Sequence, residues 1–161
     1  MDRVSNSDII FGHSQGAILI SALLSIHDKL WKTAVGSTST DRPMGYILNG
    51  VAWPNPYKDS LKSLATEQQQ QQNSETNNSS NVSSLPRMLF IMGKEDNINP
   101  IESAMQVHDA YQKANFNVSI VNHDRGHSVP VGKDEDSVRA LDEIVDWIVD
   151  IAQEKRRKKV A

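Results

Sequence analysis

The chain has 161 residues, a formal net charge of -3 and no cysteine. That length suits one domain with a sizeable buried core, and the charge gives no global field that would attract nucleic acid. The missing thiols exclude a disulfide framework, a thiolate metal site and a cysteine nucleophile.

In chain order, Met1 to Asp8 is polar and lacks the features of a signal peptide. A cytoplasmic protein is the simplest reading, and the Asn-x-Ser triplets at Asn77, Asn78, Asn81 and Asn117 are then not glycosylation sites. Ile9-Ile10-Phe11 is a continuous apolar run, as expected of a strand buried on both faces of a parallel sheet. Gly12-His13-Ser14-Gln15-Gly16 follows, and a helix is predicted over Gln15 to Trp31. Ala17, Ile18, Leu19, Ala22, Leu23, Ile26 and Leu30 recur on it at helical spacing, widened by Ile20 and Leu24. Lys32 to Pro43 reads as a loop, and Met44 to Val51 as a second strand with Gly50 near its end. Trp53-Pro54-Asn55-Pro56-Tyr57 can continue neither helix nor sheet. Lys58 to Ala65 is a short helix. Residues 66–84 hold a run of glutamines and one apolar residue, Val82, too little to offset the entropy of ordering, so they form a disordered insertion.

Met88 to Met92 is a third buried strand, stopped by Gly93, and Lys94 to Asn99 is a polar loop. Pro100 suits the first turn of a helix capped by Asn99 and running to about Ala114, with Ala104, Val107, His108 and Tyr111 on one face. Asn117 to Asn122 is a fourth strand, followed by a loop from His123 to Val131. A final helix spans Asp134 to about Lys155, its apolar side carrying Val138, Leu141, Ile144, Val145, Ile148 and Ile151. The basic run Lys155 to Lys159 reads as a helix end favoured by the dipole; its second reading is a nuclear-localisation patch. No apolar run approaches the ~20 residues of a membrane span. Strands alternating with helices predict an α/β fold with a mainly parallel sheet flanked by helices, as one domain over residues 1–161.

Strand, Gly-x-Ser-x-Gly and helix in succession are what a nucleophile elbow requires. A serine at such a turn sits in a strained backbone conformation, and the residues two before and two after it crowd each other, which favours glycine at both. The backbone N–H of Gln15, at the helix start, is a candidate oxyanion-hole donor. A serine hydroxyl needs a histidine to take its proton, and the histidine needs a carboxylate to hold its tautomer. His13, His27 and His108 read as surface or packing residues. His123 and His127 both follow the last strand, and His127 is preferred because Gly126 lets its loop turn sharply. Asp96, just past the third strand, is the preferred acid, with Glu95 its immediate rival and Asp124 a weaker one.

The motifs Phe11 to Ala17, Gly93-x-x-Asp96 and Gly126-His127-x-x-Pro130, in that order, resemble those of the FSH-type serine hydrolases, α/β-hydrolase proteins related to carboxylesterases and acyl-protein thioesterases. Tyr46 to Val51 resembles the strand after that family's elbow helix. The resemblance covers residues 8 to about 150 outside the polar insertion. It implies that Ser14 is the nucleophile, Asp96 the acid and His127 the general base, with no cofactor and no metal, acting on a small ester or thioester substrate. Arg125 stands where the family often has glycine, and Asn99 where a small apolar residue usually precedes the proline. The family also has strands before the nucleophile strand, and an early loop there supplies a second oxyanion donor. By resemblance this chain is the C-terminal portion of the fold. Two functions follow: a serine hydrolase working through an acyl-enzyme, or an inactive fragment or interaction module. With no neighbour on its far side, Ile9-Ile10-Phe11 becomes an open sheet edge through which the chain is expected to self-associate.

Overall fold

The structure, a computed structural model, describes residues 8–34, 43–55, 57–64, 66 and 85–160. The expected insertion at 66–84, with Asn77, Asn78 and Asn81, lies outside the described residues except for position 66, as does the side chain of His27. The elements are β1 (Ile9–His13), α1 (Gln15–Ala34), β2 (Gly45–Asn49), β3 (Arg87–Gly93), α2 (Ile101–Lys113), β4 (Asn117–His123) and α3 (Glu135–Val160). A short helical stretch also spans 58–64.

The four strands form one sheet in the order β1-β2-β3-β4, every pairing parallel. Parallel neighbours need a long crossover between them, which explains why helices alternate with strands. Every residue of β2 is buried, as is every residue of β3 after Arg87. The near-continuous apolar letters of these central strands reflect cover on both faces.

Two clusters make the core. On one face Leu48, Met88, Phe90 and Met92 pack with Ala17 of α1, Leu61 and Leu64 of the short helix, and Ala104, Val107 and Tyr111 of α2. The Tyr111 hydroxyl, wholly buried, donates to the Ser21 carbonyl at 2.7 Å and joins α2 to α1. On the other face Ile47, Leu89, Ile91 and Val121 pack against Ala140, Ile144, Trp147 and Ile151 of α3. Ala104, Val107, His108 and Tyr111 form the buried face of α2, as the spacing predicts.

Four local expectations need correction. The β1 run is not buried on both faces: Ile9 and Ile10 are half-buried and Phe11 is 50 % exposed, because β1 has a strand on one side only among the described residues. Leu19 and Leu23 on α1 are exposed, while Ala17, Ser21 and Ala22 are buried. On α3, Val138 and Val145 face outward, and Ala140 and Trp147 take the inner positions. Two aliphatic stripes compete on that helix, and the one that meets the sheet carries Trp147, with the Arg87 guanidinium 5.5 Å from its ring centroid. Asn99 does not cap α2: Pro100 holds the cap position, with no side-chain hydrogen bond to the helix end.

Candidate active site

In a parallel sheet with this topology the C-terminal ends of all strands lie on one edge, where ligands commonly bind. That edge gathers the turn after β1, the end of β2, the loop after β3 and the loop after β4.

At the first turn Ser14 has φ 54°, in the left-handed region that a non-glycine residue occupies only under constraint. Two hydrogen bonds over-determine it: its N–H donates to the Asn49 carbonyl at 2.9 Å, and its carbonyl accepts from Ile18 N–H at 3.0 Å. A Cβ on Gly12 would lie 2.5 Å from Ile20 Cδ1 and 2.8 Å from the backbone of Gly16 and Ala17, so only glycine fits. The crowding is one-sided, because a Cβ on Gly16 would meet no described atom within 4 Å. Gln15 is the first residue of α1, where a backbone N–H has no acceptor within the helix.

Asp96 turns its carboxylate inward, its side chain 2 % exposed. Oδ1 accepts from Ile98 N–H at 2.9 Å and Asn99 N–H at 2.8 Å, which leaves Oδ2 for the His127 ring, 2.7 Å from Nδ1. Burial pushes the Asp96 acid up, but Asn99 N–H, the His127 ring and Ile98 N–H together hold it below the ordinary carboxylate value. An ionised carboxylate only accepts, so His127 Nδ1 carries the proton and Nε2 is free to accept. Ser14 Oγ stands 2.7 Å from that Nε2. The hydroxyl proton therefore has an acceptor, and the ring that receives it has a negative neighbour.

The rivals lie elsewhere. Glu95 is exposed, and Asp124 pairs with Lys94 Nζ at 2.5 Å. His123 is 1 % exposed, its Nδ1 has no partner among the described residues, and desolvation holds its basicity below the ordinary histidine value. His108 packs its ring edge-on to Phe90.

The two departures from the resembled motifs both carry hydrogen bonds. Arg125 clasps Asp134 through Nε and Nη2. Asp134 in turn accepts from Ser137 N–H at 2.8 Å and caps α3, so the histidine loop is tied to a helix end. Asn99 Nδ2 donates to the Gly50 carbonyl at 2.6 Å and ties the acid loop to the end of β2. Sequence reasoning missed His13, whose ring centroid is 5.0 Å from that of His127, and Asn49, which reaches both His13 and the residue after His127. The one available signal was an Asn-Gly pair at the end of a buried strand.

A strained serine between strand and helix, on a parallel sheet with helices on both faces, defines the α/β-hydrolase class. Residues 5–155 match the prolyl oligopeptidase family, and the chain belongs to that family. Among solved structures it is similar to the Bacillus cereus carboxylesterase, at 15 % identity and a TM-score of 0.53, over 89 % of this chain and 49 % of that one. Esterase B from Lactobacillus rhamnosis aligns at 13 % identity and a TM-score of 0.59, over 94 % of this chain and 55 % of its own. The α/β hydrolase MGS-M1 from a Medee basin deep-sea metagenome library aligns at 16 % identity and 0.52, over 89 % and 53 %. At such identities the likeness is one of fold. The chain spans about half the length of these structures. No curated protein matches it.

Proposed function

We propose that this chain carries the catalytic residues of a serine hydrolase that cleaves carboxylic ester or thioester bonds through an acyl-enzyme. The carrying observation is the unbroken run of contacts from Ser14 Oγ to His127 Nε2, 2.7 Å, and from His127 Nδ1 to Asp96 Oδ2, 2.7 Å. Membership of a hydrolase family and likeness to esterase folds support the reading. Ester or thioester preference, and the FSH-type assignment within the superfamily, rest on the motif order Gly12 to Gly16, Gly93 to Asp96 and Gly126 to Pro130.

In this mechanism Ser14 Oγ attacks the substrate carbonyl carbon while its proton passes to His127 Nε2. Asp96 stabilises the imidazolium without taking its proton. The tetrahedral oxyanion takes a hydrogen bond from Gln15 N–H. Collapse breaks the bond to the leaving alcohol or thiol, which receives the proton from His127. Water then attacks the acyl-enzyme with His127 again as base, releasing the acid and restoring Ser14.

The second reading is an inactive fragment or interaction module. A fluorophosphonate probe separates the readings. It is expected to phosphonylate Ser14, with labelling abolished in Ser14→Ala; no labelling, or adduct on a different serine, sinks the hydrolase assignment.

A further inference from the structure

Strand β2 ends in Asn49-Gly50, between the strand that carries Ser14 and the strand that leads to Asp96. All three loops of the site are bonded to this dipeptide. The Asn49 carbonyl accepts from Ser14 N–H at 2.9 Å, the Gly50 carbonyl accepts from Asn99 Nδ2 at 2.6 Å, and Asn49 Nδ2 donates to the Ser128 carbonyl at 3.3 Å. The backbone bonds would survive any side chain at position 49. The amide bonds would not, and the amide sits in a residue only 1 % exposed.

We propose that Asn49 is a positioning residue for His127, and that its amide also holds His13 as the neutral tautomer protonated on Nε2. The proposal rests on the triad reading above and deepens it. The orientation of the amide follows from its neighbours. A carbonyl can only accept, so the atom facing Ser128 O must be the amide nitrogen, and a flip would set oxygen against oxygen. The same nitrogen lies 2.6 Å from His13 Nδ1. An amide nitrogen has hydrogens to give and no lone pair to offer, so His13 Nδ1 must be the acceptor and its proton must sit on Nε2. Asn49 Oδ1 has no partner among the described residues, so the two donated bonds alone decide the arrangement.

Two things follow for the triad. The tether to Ser128 fixes the backbone immediately after His127, whose Nε2 must stay near Ser14 Oγ. The His13 ring, tilted 36° and centred 5.0 Å from the His127 ring, forms an uncharged wall beside it. A cationic ring there would oppose the imidazolium that the reaction forms on His127. Neither role needs Asn49 to touch a substrate.

The test is histidine side-chain nitrogen NMR on the full chain, with fluorophosphonate labelling in parallel, for the parent protein, Asn49→Asp and Asn49→Ala. The parent should show His13 protonated on Nε2, and a downfield His127 Nδ1 proton from the bond to Asp96. Asn49→Asp keeps the shape but offers acceptors in place of donors. It should move the His13 proton to Nδ1, broaden the His127 signal by exchange and slow Ser14 labelling about tenfold or more. Asn49→Ala should free the His13 tautomer and broaden the same His127 signal. Finding His13 protonated on Nδ1 in the parent overturns the proposal without any variant. Unchanged His13 and His127 signals in the variants overturn it too. If the expected spectra appear but the parent never reacts with the probe, the hydrolase reading fails while the positioning role of Asn49 stands.

Discussion

Gly50 shows how much one absent side chain contributes. Its φ is +59°, and a Cβ there would sit 3.1 Å from His127 Cε1 and 3.5 Å from Asp96 Oδ2. The backbone needs glycine, and so does the ring resting above it. Gly132 separates the two demands. It has φ +68°, and its Cβ would meet Leu141 Cδ1 at 3.1 Å, rather than His127 or Asp96. Gly50→Ala and Gly132→Ala should each cost about 1–2 kcal/mol from the left-handed backbone. Only Gly50→Ala should also slow fluorophosphonate labelling of Ser14, by pressing His127 off line. Equal labelling of the two variants would show that Gly50 matters for the backbone alone. At this scale the meeting of Ser14, Asp96 and His127 could be anticipated because each sits in a short motif with its own turn chemistry. Asn49 could not, because its partners His13 and Ser128 lie 36 and 79 positions away and only the fold brings them within reach.

Helix α3 and the loop before it form a connected polar surface. Asp134 accepts from Arg125, Asp136 accepts from Asp124 N–H at 2.7 Å, and Arg139 reaches the Asn122 carbonyl at 2.9 Å. The Arg125 bond, with help from Ser137, holds Asp134 down to about 2. Inside this shell burial pushes the basicity of His123 below the ordinary histidine value. Both groups bind protons less readily folded than unfolded, so stability falls with acid, in different windows. The His123 contribution is complete above the ordinary histidine value of 6.5 and fades as pH drops through its lower folded value. The Asp134 contribution is complete above 3.8 and is lost as pH falls towards about 2. Denaturant titrations against pH should show an initial loss of stability just below pH 6.5. His123→Gln should flatten that upper slope and leave the loss below 3.8 in place. An upper slope identical in parent and variant would remove His123 from the account. The helices were legible from apolar spacing, but which stripe faces inward was not. Val138, Val145 and Val149 satisfy the same period as Ala140, Ile144 and Ile151, and only packing against Ile47, Leu89 and Ile91 selects between them.

Across the whole molecule the parallel pairing was legible, since each apolar run is followed by a crossover long enough for a parallel partner, but the places of β3 and β4 in the sheet were not. Strand β1 pairs with β2 alone among the described residues, and its run from Ile9 to His13 contains no proline or lysine to discourage another strand. Phe11 shares the sheet face of its register partner Ile47, yet α3 does not bury it. Leu19 and Leu23 of α1 add exposed apolar surface. We propose that a second copy of the chain covers this edge. Sedimentation should show a mass that rises with concentration, and a charged substitution, Phe11→Lys, should lower it. A parent chain that stays monomeric across the concentration range would show that the edge is tolerated open.

The distances along the chain within the site carry a consequence for the order of events during synthesis. Ser14 and His127 are separated by 113 positions, and Asp96 and His127 by 31. Closing the longer span by itself would cost about 4 kcal/mol of chain entropy, more than one hydrogen bond returns. The sheet must therefore close it, through crossovers that form slowly because their contacts are remote in sequence. A growing chain presents Ser14 long before His127 has been made, and even in a finished chain the two meet only once β1 to β4 have come into register. The Ser14–His127 contact is thus a late property of the chain, and neither a nascent nor a half-folded molecule possesses it.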